Sequence, residues 1–217
     1  MFRTGLLTVA LLGVMGATIP AAQGAVVFKL DQSVGFGSGP FGTVTLNQTS
    51  PTLVTVVETL FAGVNWAGTG AGEALEFNIA GDPAINIAIS NTNNNQTNFA
   101  AGVGGADASP YGTFDYFIHC ITCQGGSGPG GTLTFTVSLA SNAALDINSF
   151  KVLSTLPPGN VQAYVASDIC FQASTGACTA NVAAINSSTV PEPITSGLVG
   201  TGLVSLFFLR RRFTGKA

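Results

Sequence analysis

Charge is scarce in this sequence. Only 8% of its 217 residues are Asp, Glu, Lys or Arg, and it has a single histidine and a single tryptophan. Of its seven basic residues only Lys29 and Lys151 lie between positions 25 and 190, an interval that holds nine acids. Two bases minus nine acids leaves it at −7, with no basic patch to neutralise phosphates. A nucleic-acid partner is excluded on that ground. Sustained 3.6-residue amphipathicity is also scarce. With 46% hydrophobic residues and a formal net charge of −3, the composition is not that of a disordered chain, and its length is too small for two full-sized domains.

Catalytic motifs are equally sparse. There is no G-x-S-x-G elbow, no H-E-x-x-H pair and no D-x-D-x-D-G calcium loop. Two G-x-G-x-x-G matches begin at Gly37 and Gly126, but each runs into a strand-like segment, so no helix N-terminus would meet a pyrophosphate. A serine triad would have to use His119, which sits beside a cysteine expected to be oxidised. The expectation is therefore a protein that is not an enzyme, with no cofactor and no metal.

What is present is β pattern. Short segments rich in Val, Ile, Thr and Phe alternate with Gly, Pro, Asn and Ser clusters, predicting strands over 26–30, 42–48, 53–60, 75–79, 85–90, 112–120, 132–140, 150–153 and 161–169. In Thr132-Leu133-Thr134-Phe135-Thr136-Val137-Ser138-Leu139 the apolar side chains share one face and the hydroxyls the other, as in a strand packed on a core. The fold class expected is all-β, a β-sandwich of jelly-roll or Ig-like type, with one helical turn near 144–150.

Four cysteines, Cys120, Cys123, Cys170 and Cys178, make two disulfides the simplest reading in an oxidising compartment. Of three pairings, Cys120–Cys123 with Cys170–Cys178 is favoured, each closing a short loop; the crossed pairings would staple the two regions together. A thiolate pair for zinc or redox work fits the CxxC spacing less well, because a glycine-rich stretch follows it where a redox motif would open a helix. Glu58, Glu73, Glu76, Asp82, Asp107, Asp115, Asp146 and Asp168 are available as paired carboxylates for glycoside chemistry, but scattered acids more often serve solvation, turns or strand edges. The alternative function, a carbohydrate-binding or carbohydrate-cleaving module, would use Trp66, Tyr111, Tyr116 and Tyr164 as sugar-stacking rings, provided that they reach solvent.

Both ends read as addresses. Arg3, an apolar run over 6–17 and small residues before Gly24-Ala25 form a secretory signal peptide, cut by signal peptidase between Gly24 and Ala25. At the other end Pro191-Glu192-Pro193 precedes an uncharged stretch, 194–209, and then Arg210, Arg211 and Arg212. As a helix that stretch spans ~24 Å against a hydrocarbon core of ~30 Å, a marginal membrane anchor that leans on its arginines, which stay on the cytoplasmic side. The two prolines keep the chain ahead of it extended and open to a protease. The expected layout is a signal peptide over 1–24, a sandwich ectodomain over 25–180, a spacer over 181–190 and a terminal segment over 191–217 carrying a transmembrane helix at 194–209.

The tripeptide, short apolar run and arginine cluster, together with the leader, resemble the PEP-CTERM sorting signal of Gram-negative bacteria. The resemblance implies recognition by the membrane-embedded, transpeptidase-like protease exosortase, and association with exopolysaccharide and biofilm. It implies export across the inner membrane, transient membrane anchoring, and a final place at the cell surface or outside the cell. A second set of segments, Gly112-Thr113-Phe114-Asp115-Tyr116-Phe117-Ile118, Leu133-Thr134-Phe135-Thr136-Val137 and Ala166-Ser167-Asp168-Ile169, is similar to the recurring ectodomain pattern of those proteins. It implies no enzymatic activity.

Overall fold

The computed structural model describes residues 24–69, 73–92, 98–123, 128–155, 161–171 and 179–190. The signal peptide, the sorting segment with its membrane helix, and Cys178 lie outside the described residues. Among the described residues no helix is long and apolar enough to cross a membrane.

Period-two patterning becomes strand wherever one face can be buried. The strands are β1 (Ala25–Leu30), β2 (Gln32–Ser33), β3 (Gly42–Ser50), β4 (Leu53–Leu60), β5 (Val64–Trp66), β6 (Leu75–Phe77), β7 (Ile85–Thr92), β8 (Phe99–Asp107), β9 (Thr113–Cys120), β10 (Thr132–Leu139), β11 (Val165–Phe171), β12 (Thr179–Ala184) and β13 (Ser187–Val190). They form two sheets, β13-β1-β3-β4-β10-β7 and β2-β12-β11-β6-β9-β8, with β5 also pairing β11. The pairings are antiparallel. The described residues are all-β, and their two antiparallel sheets are those of a β-sandwich.

The core lies between the sheets. Val26, Phe28, Val44, Leu46, Val54, Val56, Leu133, Phe135 and Val137 from the first meet Leu75, Phe77, Tyr116, Ile118, Val165 and Ile169 from the second, all buried. Phe77 is a hub, its ring 5.6 Å from Tyr116, 5.8 Å from Phe150 and 5.9 Å from Phe135. Aromatic contacts of this kind add to the area they bury. The alternation foreseen in β10 is observed, with Leu133, Phe135 and Val137 fully buried.

Ladder register gives the sandwich two distinct poles. Leu30 pairs Gly42, Gly42 pairs Leu60, and Leu60 N–H donates to the Gly131 carbonyl. Trp66 N–H donates to Pro129 and the Phe41 ring lies 5.7 Å from Phe171, so this end also gathers Trp66, Cys120, Cys123 and Cys170 from the second sheet. It is the disulfide pole. At the opposite end Ala25 pairs Val190, the β3–β4 turn runs through Pro51, and Ile85 pairs Leu139.

Several expectations need correction. Residues 150–153 are not a strand; Ile147–Phe150 is a 3-10 turn capped by Asp146, whose carboxylate accepts from Asn148 N–H at 2.7 Å. Phe150 enters the core from that turn, which explains its strand-like hydrophobicity. Residues 181–190, read as a spacer, are mostly strand: 181–184 belong to β12 and pair with β11, and 187–190 are β13 and pair with β1. Their small side chains fit beneath neighbouring strands, and Val182, Ala183 and Ala184 are buried. Phe99–Asp107 was not expected as strand because Gly102, Gly104 and Gly105 make it loop-like. Gly102 lies under the Phe117 ring, where a Cβ would come within 2.1 Å of the ring, so this strand carries glycine for close ring approach.

Candidate functional site

The densest chemistry lies toward the disulfide pole. In β4 the alternation that buries Val54, Val56 and Leu60 also buries Glu58, which is fully sealed from solvent. Its Oε2 accepts from the Trp66 indole Nε1 at 3.0 Å, a polar link between the sheets, while its Oε1 has no partner. Burial pushes the Glu58 carboxyl up to about 8, against the pull of the Trp66 hydrogen bond, and so favours its neutral form at pH 7.

A second group gathers around Thr69 and Glu73. Asp168 in β11 accepts from Thr69 N–H at 2.7 Å and from Thr69 Oγ1 at 2.8 Å, and its own N–H donates to the Glu73 carbonyl. Glu76 Oε1 accepts from Glu73 N–H at 3.1 Å, and its buried Oε2 has no partner. Burial drives the Glu76 carboxyl to about 9; the Glu73 N–H bond pulls it down and the nearby Glu73, Asp107 and Asp168 charges raise it further. Burial raises Asp168 and Glu73 too, opposed respectively by the Thr69 bonds and by His119. Glu73 Oε2 lies 2.6 Å from His119 Nδ1, and the His119 side chain is 37% exposed.

Three of these acids are sealed from solvent. Glu58, Glu76 and Asp168 are at most 1% exposed, so a sugar does not reach them in this fold. His119 is oriented by Glu73, but among the described residues its ring bonds nothing else. No three His, Cys, Asp or Glu side chains among the described residues are placed to hold a metal ion. The acids were expected at turns, edges and solvent. Asp146 does cap a turn, but Glu58, Glu76 and Asp168 are buried. The signal for Glu58 lay in the sequence: it occupies the same parity as Val54, Val56 and Leu60.

Cys120 and Cys123 form a disulfide, with Cα atoms 5.4 Å apart, as the favoured pairing had it. The pair is therefore no thiolate site. Cys170 is also disulfide-bonded. Gly128 packs over this corner, where a Cβ would fall 2.2 Å from Cys123 Sγ and 2.3 Å from the Trp66 carbonyl. Gly128 packs there because nothing larger fits.

The four rings proposed for sugar stacking do not form a platform. Trp66, Tyr111 and Tyr116 are 1%, 3% and 2% exposed, and Tyr164 packs on the Phe28 ring at 5.6 Å. They are core and its margin because the hydrophobic gain from burying such rings exceeds what a lone exposed face would return. The Tyr116 hydroxyl meets Asp82 Oδ1 at 2.8 Å and the Pro83 carbonyl at 2.5 Å. Those residues, with Ala84, Ile85, Val103, Gly104 and Asp115, line an open cleft of about 440 Å³. Pro191, Glu192, Pro193, Arg210, Arg211 and Arg212 lie outside the described residues, whereas Gly24 and Ala25 are described and Ala25 opens β1.

No protein-family model matches this sequence, and neither a curated protein nor a solved structure matches it. Function must be argued from the chain itself.

Proposed function

We propose that this chain is an exported, non-enzymatic surface or extracellular-matrix protein, delivered by a PEP-CTERM signal and trimmed by exosortase. Signal peptidase releases it at Ala25, and a short helix over 194–209 holds it in the inner membrane of a Gram-negative bacterium until it is cut. The observation that carries this reading is the layout: a disulfide-bonded sandwich fills the interval between a leader and a Pro-Glu-Pro segment followed by an apolar run and three arginines. A disulfide suits an oxidising compartment. A jelly-roll type of sandwich is supported by the chain's repeated passage from sheet to sheet, β1 to β2, β2 to β3, β4 to β5, β6 to β7, β7 to β8, β9 to β10, β10 to β11 and β12 to β13. Sealed carboxyls and buried rings support a structural role at the surface, with exopolysaccharide as the matrix around it.

Deleting residues 191–217 tests the reading. The truncated protein should be lost from the cell surface and its matrix fraction and released unanchored. Wild-type processing and location in that deletion would overturn the sorting role.

A second reading, carbohydrate binding or cleavage, rests on the Asp82–Asp115 cleft, since open clefts with two carboxylates suit sugar hydroxyls. Glycan-array binding by the secreted domain, abolished in Asp115→Ala, would favour it; an array without signal would remove it.

A further inference from the structure

The ladder between β1 and β13 has the register Ala25↔Val190, Val26↔Thr189, Val27↔Ser188 and Phe28↔Ser187. The residue that signal peptidase would expose first is thus the partner of the residue that precedes Pro191. No free linker separates the sheet from the Pro-Glu-Pro segment. We infer that β13 is a gate: residues 187–190 must lift from β1 before the chain can be cut at Pro191-Glu192-Pro193. This rests on the sorting reading above and adds a folded-state requirement to it.

The steric argument comes first. A protease takes its substrate as an extended strand held along several residues on either side of the cut. On the N-terminal side those residues are β13, one edge of which is occupied by β1. A cleft that closes around the chain needs both edges of those residues free. The composition of the strand then makes lifting cheap. Ser188, Thr189 and Val190 are exposed and Ser187 is only half-buried, so β13 contributes no core side chain. It is held by main-chain pairing and a Ser188 Oγ bond to the Val27 carbonyl at 3.4 Å. Ile185 and Asn186 form a two-residue hinge after β12, whose last three residues are fully buried and stay behind. Lifting β13 is therefore a local opening that leaves the sandwich folded.

The two strands can be locked. Val27 and Ser188 are register partners on the outer face, since Val26 and Phe28 point into the core, and facing Cβ atoms in a ladder lie near disulfide range. Full-length protein carrying Val27→Cys with Ser188→Cys is expressed in a bacterium with exosortase, and conversion of precursor to trimmed chain is followed, with the new disulfide verified by non-reducing peptide mass mapping. Trimming of the locked protein should slow by about tenfold or more, while each single variant is trimmed at the parental rate. A Gly/Ser linker of about eight residues inserted between Val190 and Pro191 should restore trimming of the locked protein, which separates a gate from a folding defect. Parental-rate trimming of the verified locked protein, or failure of the linker to rescue it, would overturn the gate and leave the sorting reading intact. A parental chain never trimmed beyond Val190 would overturn the sorting reading, and the gate with it.

Discussion

The two poles of this sandwich are built on opposite principles. Toward the disulfide pole, polar and reactive groups are sealed: Cys120 bonds Cys123, Glu58 is locked to Trp66 across the sheets, and Glu76 and Asp168 are buried. At the Ala25–Val190 pole the last strand is polar and exposed, and holds by backbone pairing. Burial there is replaced by reversibility. The contrast teaches that one pole fixes the fold and the other can open without endangering it.

The comparison can be broken most severely at Trp66. Trp66→Ala removes a fully buried ring and the indole N–H that bonds Glu58, and should cost ~3–5 kcal/mol, measured by urea unfolding. A cost near that of a surface change would mean that the disulfide pole does not fix the fold.

Titration sharpens the same contrast. Glu58 and Glu76 sit at about 8 and about 9 in the folded chain, above their unfolded value of 4.5. Each therefore binds its proton more tightly when folded, so their contribution is fully present below the unfolded value and is lost as pH rises through 8 and 9. Each group contributes at most about 1.4 kcal/mol per pH unit, so the thermal midpoint should fall steadily from about pH 5 to about pH 9. Glu58→Gln with Glu76→Gln should flatten that slope; an unchanged slope would remove these carboxyls as its source.

Smaller effects follow in order. Cys120→Ser with Cys123→Ser opens a loop closed over a sequence separation of three, and should cost about 1–2 kcal/mol in chemical unfolding because so short a loop constrains the unfolded chain little. At the other pole Ser188→Ala or Thr189→Ala should stay within about 0.5 kcal/mol of the parent. A larger loss there would erase the difference between the poles.

Much of this architecture was legible in the sequence, and the exceptions have physical reasons. Alternation located Leu53–Leu60 to the residue and Thr132–Leu139 within one, because those strands bury one face completely. Val64–Trp66 escaped because it is three residues long and is defined by its partner β11. Phe99–Asp107 escaped because its glycines hide it, and Ser187–Val190 because an edge strand with no buried face carries no pattern. The Cys120–Cys123 pairing followed from loop length. The buried carboxyls did not, because an acid is read as solvated unless its parity is checked against its neighbours. Trp66 drew attention as the single tryptophan, but its role depends on Glu58, eight residues away in sequence and on the facing sheet.

The most direct measurement is the intact mass of the protein recovered from its native cell, before and after reduction. A chain that begins at Ala25, ends close beyond Val190 and gains the mass of four hydrogens on reduction is the result this account predicts. Recovery of the whole 217-residue chain with four free thiols would contradict it.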